Sequence, residues 1–210
     1  MAKVNPELVE LFCAKAAIVG ATVFEAASMD AAVTYVLDVC QKKTPCEMLA
    51  EEAGAEKGPL SENKQPTRTQ RMIAVPGMDE PWTKALSKAC ASKGYVCMKD
   101  GLRNHLAGID IGIAPACLGV ADSGTCVVVS DEEQTRLSTM ICEISMLVLR
   151  KSDIRKDLPS IAADLRALQG VDQPTYTAFI TGPSRTADIE RVLAIGVHGP
   201  LELHIILLEG

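Results

Sequence analysis

Residues 178–200 read AFITGPSRTADIERVLAIGVHGP, and the interpretation of the rest of the chain depends on this stretch. The apolar run at residues 176–180 predicts a buried strand, which ends at the Gly-Pro turn of residues 182–183. Apolar side chains recur at helical spacing in residues 188–195 and a glycine follows, so we predict a short helix there. Residues 203–208 predict a last apolar strand. The stretch is therefore a strand, a turn, a helix and a strand.

The turn after the first strand carries side chains suited to an anion. Ser184 and Thr186 offer hydroxyl groups, and Arg185 offers a planar guanidinium that fits a carboxylate or a phosphate. The free N–H groups and the dipole at a helix start favour the same ligands. The alternative is that a hydroxyl caps the helix and Arg185 forms a surface ion pair. His198 lies between two glycines, which favours a ligand or proton-transfer role, with a hydrogen-bonding turn residue as the alternative.

A second turn is predicted at residues 122–125, between a connector at residues 115–120 and a buried strand at residues 126–130. Asp122 supplies side-chain oxygens, as does the serine after it, and Gly124 permits a tight turn or the close approach of a ligand. An ordinary turn stabilised by the aspartate is the alternative. Ligand sites in parallel sheets lie beyond the carboxyl ends of the strands, so we expect both turns to converge on one cleft there.

Two ordered motifs resemble the lactate-utilisation protein C family of LUD-domain proteins. They are TGPSRTADIE at residues 181–190 with GVHGP at residues 196–200, and IA at residues 113–114 with GVADSGT at residues 119–125. The resemblance covers the chain well from residue 109 onward and loosely before it. The family usually has a proline near residues 141–142, where this sequence has Cys142. The resemblance implies the fold of the sugar-phosphate isomerase and CoA-transferase superfamily (NagB/RpiA-like).

The resemblance also directs attention to particular side chains in the two motifs. The ligand-binding candidates are Ser123, Gly124, Thr125, Gly182, Ser184, Arg185, Thr186 and Gly199. Among these, Arg185 is suited to clamp a carboxylate. The candidates for acid–base catalysis are His198, Asp188 and Asp122, with Glu190 as a further carboxylate.

The resemblance implies a cluster-free subunit of a complex that oxidises lactate to pyruvate. The implied partners are an iron–sulfur LUD protein and a cysteine-rich (CCG-type) protein. The chain has eight cysteines, no two of them at the Cys-x-x-Cys spacing from which iron–sulfur and zinc sites usually draw ligands. We therefore expect no metal or cofactor on this chain, a small carboxylate or phosphate as its ligand, and iron–sulfur clusters in the partner subunits.

Two alternatives come from other functional classes. One is a stand-alone enzyme or binding protein for a phosphorylated or CoA-linked small molecule, which fold relatives suggest by analogy only. The other is a non-catalytic scaffold whose loops bind a partner. The dinucleotide pattern Gly-x-Gly-x-x-Gly is missing from the sequence, which argues weakly against a nicotinamide site.

Composition narrows the possible partners. The 210 residues are 48% hydrophobic and 23% charged, with a net charge of -6 and no run rich in lysine and arginine. A nucleic acid partner is therefore not expected. The longest apolar stretch near the start falls far short of the ~20 residues that a spanning helix needs. The first residues lack the basic and then apolar layout of a secretory signal, so we expect a cytoplasmic protein with no membrane span.

The remaining chain alternates predicted helices and strands. This pattern predicts an α/β fold with a mainly parallel sheet and helices on both faces. Residues 1–56 are interpreted as an N-terminal helical and α/β segment and residues 71–210 as the LUD core, within one domain overall. Residues 57–70 are interpreted as a polar loop that is disordered or mobile, with a functional lid as the alternative. Asp157 is predicted to begin the last long helix.

Overall fold

The computed structural model describes residues 4–48, 56–106, 108–168, 175–186, 194–195 and 199–209. The helices are α1 (Pro6–Ile18), α2 (Met29–Lys42), α3 (Glu80–Lys93), α4 (Glu133–Met140) and α5 (Ala162–Leu168). The strands are β1 (Ala21–Ala26), β2 (Lys57–Leu60), β3 (Pro66–Arg68), β4 (Met72–Ala74), β5 (Val96–Met98), β6 (Ile109–Pro115), β7 (Leu118–Val120), β8 (Thr125–Val129), β9 (Cys142–Arg150), β10 (Ile154–Arg155), β11 (Thr177–Ile180), β12 (Arg185–Thr186), β13 (Ala194–Ile195) and β14 (Glu202–Leu208). Short 3₁₀ helices lie at Leu102–His105, Lys151–Asp153 and Pro159–Ile161.

Local capping signals start the first three helices. The side chain of Asn5 accepts a hydrogen bond from the N–H of Glu7 at 3.1 Å, and Pro6 begins α1. The Ser28 hydroxyl accepts from the N–H of Ala31 at 3.1 Å in the same way at α2. Asp79 begins α3 by the same device. These side chains satisfy N–H groups that have no partner within the helix.

Six strands of the described ranges form the central sheet, in the order β1-β14-β9-β6-β4-β5, and every neighbouring pair is parallel. The last strand, β14, lies between the first strand, β1, and β9. The two ends of the described chain therefore meet in one sheet. The predicted α/β class with a mainly parallel sheet is confirmed.

The two faces of the sheet bury different partners. In β9, Ile144, Met146 and Val148 pack in one cluster with α2 and α3. Leu147 and Leu149 point to the opposite face and pack with α1 and with a second sheet. This alternation follows from the period of two in a strand. Helices lie on both faces, as predicted, but on the second face α1 shares the layer with strands.

The second sheet has the order β10-β7-β8-β11, with β7–β8 and β8–β11 antiparallel. Two predictions are wrong here. The connector predicted at residues 115–120 contains β7, and the strand predicted to be buried at residues 176–180 is an edge strand. Tyr176 is 60% exposed and Phe179 is 46% exposed. One side of β11 has no neighbouring strand among the described residues, so its apolar side chains are only partly covered.

Residues 57–70, predicted as a disordered or mobile loop, contain the antiparallel hairpin β2–β3 instead. The buried Thr67 hydroxyl donates a hydrogen bond to the carbonyl oxygen of Pro59 at 2.7 Å and ties the two strands together. Prolines and charged residues are typical of loops, so the local sequence pattern of this segment does not indicate that its two strands pair. Whether residues 1–56 and 71–210 are separate segments stays a prediction.

The last long helix was predicted as one element and is broken. Asp157 caps it as predicted, its carboxylate accepting from the N–H of Ser160 at 2.9 Å. A 3₁₀ turn at Pro159–Ile161 then precedes α5. The helix predicted at residues 188–195 lies largely outside the described residues, but its end is wrong, because Ala194–Ile195 is a strand paired with Arg185–Thr186.

The cysteines pack as small apolar side chains, as expected of free thiols in a core. Five are buried and three are half-buried. Burial raises the pKa of Cys40 and of Cys142 to about 12, so both remain thiols. Cys97 differs, because hydrogen bonds from Cys90 and from Ser87 outweigh desolvation and lower its pKa to about 6.

A buried carboxylate joins four elements at the amino end of the central sheet. The Asp110 side chain is 1% exposed. Its Oδ1 accepts from Lys43 Nζ at 3.0 Å and from the N–H of Cys46 at 3.0 Å, and its Oδ2 accepts from the N–H of Met72 at 2.7 Å. Lys43 also pairs with Glu143 Oε2 at 2.7 Å. The segment after α2 is thereby fixed to β4, β6 and β9.

Asp110→Asn is expected to lower the free energy of unfolding by about 3 kcal/mol, because an amide cannot replace the acceptor pair and leaves Lys43 short of a charge partner. Urea unfolding followed by the fluorescence of Trp82, the single tryptophan, measures the change. The matched control is Asp38→Asn on the exposed face of α2, which should stay within about 0.5 kcal/mol of the parent. Equal stability of the two variants would contradict the assigned role.

Candidate functional site

A cavity of about 430 Å³ lies between the central sheet, α4 and the edge strand β11. Its wall contains residues 176–184 together with Ser130, Arg136, Thr139, Met140, Ser145, Pro200 and Leu203. Helix α4 reaches the sheet closely because β6 has Gly112 at the contact: a Cβ there would stand 2.0 Å from the carbonyl oxygen of Ser138. The cavity is thus bounded by elements from three parts of the chain.

The turn that follows β11 forms one end of this cavity. Gly182 has a φ of +75°, and a Cβ there would stand 2.4 Å from the carbonyl oxygen of Val19. The N–H of Ser184 donates to the carbonyl of Pro200 at 3.0 Å. The site of a Cβ on Gly199 lies 3.0 Å from the Ser184 hydroxyl. Gly182, Ser184 and Gly199 are therefore neighbours, as a shared site requires.

The expected position at the carboxyl ends of the central strands is wrong for this turn. The N–H of Ser184 in this turn bonds to the carbonyl of Pro200, which lies just before β14 in the chain. The turn therefore lies at the amino end of β14. The N–H of Leu201 donates to the carbonyl of Glu143, near the start of β9, at 2.8 Å. The strand β11 before the turn belongs to the second sheet, which explains why the rule for parallel sheets does not apply.

Arg185, predicted as the carboxylate clamp, is exposed and not in the wall of this cavity. Among the described residues its guanidinium donates to the carbonyl oxygen of Val19, the residue that ends α1. It thus supplies a donor to a carbonyl at a helix terminus, where a cation is favourable. The ligand role of Arg185 stays a prediction.

The second predicted turn is joined to the first by hydroxyl groups. Thr125 Oγ1 lies 2.8 Å from Ser123 Oγ and 2.7 Å from Thr181 Oγ1. The two turns therefore approach each other, although Ser123, Gly124 and Thr125 do not line the cavity. Asp122 is exposed on the same turn.

Gly124 has a structural task. Its φ is +65°, and a Cβ there would lie 2.3 Å from the backbone nitrogen of Ala16 in α1. The sequence left open whether this glycine serves a tight turn or the approach of a ligand; the close neighbour is the backbone of α1.

Several candidates cannot be placed. Asp188, Glu190 and His198 lie outside the described residues. The backbone of Thr186 pairs with Ala194 in the short β12–β13 ladder. The catalytic roles of His198, Asp188 and Asp122 stay predictions.

Two polar residues of the cavity wall were missed from the sequence. Arg136 on α4 donates from Nη1 to the carbonyl of Asp131 at 2.8 Å, and its guanidinium lies 4.8 Å from the ring centroid of Tyr176. No carboxylate of the described residues lies within salt-bridge distance of it. Ser145 on β9 is 2% exposed. A serine within the otherwise apolar run of residues 144–149 was the signal that could have found it.

A larger cavity of about 770 Å³ lies on the other side of Met140. It is more polar, and its wall includes Lys43, Glu47, Glu143 and Glu202. Burial alone would lower the pKa of Lys43. Interactions with Asp110, Cys46 and Glu143 raise this pKa by more than burial lowers it, so the lysine remains a paired cation. Two acidic side chains of the cavity wall already have partners: Glu47 accepts from Ser61 at 2.6 Å, and Glu202 lies 2.9 Å from His204 Nε2.

The arrangement can hold a small anion beside apolar surface. Within the described ranges, no group of three or more histidine, cysteine or acidic side chains is placed to hold a metal ion. No helix of those ranges combines the length and the apolar character needed to cross a bilayer.

The family model for the LUD domain matches residues 9–208, nearly the whole chain. The chain belongs to the LUD-domain family. The structure of this LUD domain agrees, since it resembles a crystal structure of a DUF162 family protein from Deinococcus radiodurans with a TM-score of 0.57 over 96% of both chains. The two sequences are 17% identical, so this likeness concerns the fold alone.

Named relatives come from several bacteria. Protein YkgG of Escherichia coli (strain K12) is 36% identical over 101 residues, which are 47% of this chain and 44% of that protein. Lactate utilization protein C of Halalkalibacterium halodurans is 34% identical over 102 residues, 48% of this chain and 44% of the relative. The protein of that name from Bacillus subtilis (strain 168) is 33% identical over 102 residues. The match spans less than half of each of the first two relatives.

The structural task of Gly124 gives a prediction with a matched control. Gly94→Ala introduces a Cβ at a φ of +70° with no atom within 4 Å, so it should cost only about 1 kcal/mol of conformational strain. Gly124→Ala has the same strain plus the clash with α1, and should cost about 1–3 kcal/mol more, as overpacked sites do. Urea unfolding of both variants decides the matter, and equal losses would show that the contact with α1 is not limiting.

Proposed function

We propose that this LUD-domain protein takes part in lactate utilisation in the cytoplasm, as a cluster-free subunit of a complex that oxidises lactate to pyruvate. Its partners in this proposal are an iron–sulfur LUD protein and a cysteine-rich (CCG-type) protein, which carry the clusters. Two findings support the role: the family model covers residues 9–208, and several relatives bear the name lactate utilization protein C.

The observation that carries the proposal is the cavity formed by the family-like stretch itself. Residues 181–184, the first part of the TGPSRTADIE motif, form one end of a 430 Å³ space, which suits a small organic acid. Arg136 brings a guanidinium to its wall without a carboxylate partner among the described residues. A guanidinium binds a carboxylate through charge-assisted hydrogen bonds. A small carboxylate such as lactate or pyruvate is therefore the ligand that we assign to this cavity.

The chemistry that this chain supplies is binding and orientation. Arg136 holds an anion, and the hydroxyl groups around it offer further hydrogen bonds. The edge strand and α4 place apolar groups of Phe179 and Met140 beside the ligand. In this proposal, electron transfer belongs to the partner subunits, which carry the iron–sulfur clusters.

The test is a tagged purification from the native cell without oxygen, followed by assays for iron, sulfide and lactate-dependent reduction of an artificial electron acceptor. We expect two companion chains, iron in stoichiometric amount and activity with lactate. Arg136→Gln in the complex should lower the activity at limiting lactate by about tenfold or more, the effect of losing one charge-assisted hydrogen bond. Arg166→Gln on the exposed face of α5 is the matched control and should leave it unchanged.

Two results would contradict the proposal. One is an iron-free, lone polypeptide whose melting temperature rises with inorganic phosphate or CoA, which would favour a stand-alone enzyme or binding protein for phosphorylated or CoA-linked molecules. The other is a complex whose lactate oxidation proceeds equally well when this chain is deleted.

A further inference from the structure

The hydroxyl group of Ser145 is a buried polar group without a hydrogen-bond partner among the described residues. Ser145 is 2% exposed. It lies in the wall of the cavity beside α4 and β11. Its neighbours in the paired strands are Gly112 and Leu203, neither of which has a polar side chain.

The nearby sulfur of Cys142 does not satisfy this hydroxyl. Burial raises the pKa of Cys142 to about 12, so the group is a neutral thiol and a weak acceptor. The thiol donates to the carbonyl oxygen of Ser138 at 2.7 Å. The Ser145 hydroxyl would pair well with this sulfur only if the thiol were ionised, which its pKa excludes at neutral pH.

Buried polar side chains in folded proteins are nearly always hydrogen-bonded, and one that is not calls for an explanation. An alanine would fit this strand position without an unpaired group. Ser145 lines a cavity, and rotation about its χ1 can turn the hydroxyl toward a bound molecule, which then supplies the missing partner. This arrangement is typical of a site that sacrifices stability for function.

Arg136 is a second polar side chain in the cavity wall that can contact a ligand. Its Nη1 is committed to backbone carbonyls, which fixes the side chain together with the ring of Tyr176. The other nitrogens of the fork have no carboxylate within salt-bridge distance among the described residues. Apolar side chains, among them Phe179 and Leu203, also line the cavity.

We infer that this cavity binds a small 2-hydroxy acid, with the carboxylate at Arg136 and the hydroxyl at Ser145. The inference rests on the proposed function for the choice of lactate and adds the residue that recognises the hydroxyl. Ser145 Oγ can accept from the ligand hydroxyl or donate to it. A ligand that carries a carboxylate but no hydroxyl leaves Ser145 unpaired, and such sites discriminate strongly against that analogue.

The test compares L-lactate with propionate, which has the same carbon chain and carboxylate but lacks the hydroxyl. Calorimetric titration of the full chain should give a Kd for lactate about tenfold lower than that for propionate, the effect of one hydrogen bond to a buried group. Ser145→Ala should remove this difference by weakening lactate binding alone. Ser138→Ala is the matched control, because the Ser138 hydroxyl is buried but already donates to the carbonyl of Thr135 at 2.9 Å. It should keep the preference for lactate.

A second readout separates ligand recognition from a structural role. Without ligand, Ser145→Ala should raise the melting temperature, by about 2–4 °C for a chain of this size, since it removes an unpaired buried hydroxyl. Ser138→Ala should lower it, because a satisfied hydrogen bond is lost. A serine that merely supports the fold would destabilise the protein when replaced.

The inference is overturned if wild-type protein binds lactate and propionate equally, if Ser145→Ala retains the preference, or if inorganic phosphate displaces lactate from wild type at lower concentration than propionate does. These results leave the proposed function standing if the purified complex still needs this chain for lactate oxidation. Conversely, two results together would contradict the proposed function and support the ligand site: the complex oxidises lactate equally well without this chain, and the isolated chain prefers lactate through Ser145.

Discussion

The buried carboxylate of Asp110 is the interaction on which the amino end of the central sheet depends. It accepts hydrogen bonds from Lys43, from the N–H of Cys46 and from the N–H of Met72, and so joins segments that are far apart in the sequence. Lys43 continues the network to Glu143 at the start of β9. Removing one member leaves another buried charge unpaired, which costs far more than a surface pair. This network fixes the start of β9 in the central sheet.

The candidate site is built from the strand that this network anchors. β9 carries Ser145 three residues after it begins, and α4, which packs over Gly112, brings Arg136 to the same cavity. The glycines of the family-like motifs serve this packing, because Gly124 and Gly182 let two turns approach the backbone of α1. The glycines of the motifs thus hold the layers together, while Arg136 and Ser145, two residues outside the motifs, supply the polar groups assigned to the ligand.

The sequence predicts much of the fold, because strand and helix periods and capping residues such as Asn5 and Ser28 are local signals. It could not reveal the pairing of Asp110 with Lys43, which depends on contacts between distant segments. The hairpin at residues 57–70 was missed because prolines obscure strand patterns. For the site, the sequence identified the turn at residues 181–184 but not Arg136, whose position depends on the packing of α4. Ser145 was missed as well, although one hydroxyl in an apolar run was a signal that could have found it.

The most direct test of the ligand site is a crystal structure of the protein grown in L-lactate. We expect lactate in the cavity between β9, α4 and β11, with its hydroxyl oxygen within about 3 Å of Ser145 Oγ and its carboxylate against the guanidinium of Arg136. Lactate bound instead in the larger cavity beside Lys43, or an empty site at saturating concentration, would contradict the account of how this chain recognises its ligand.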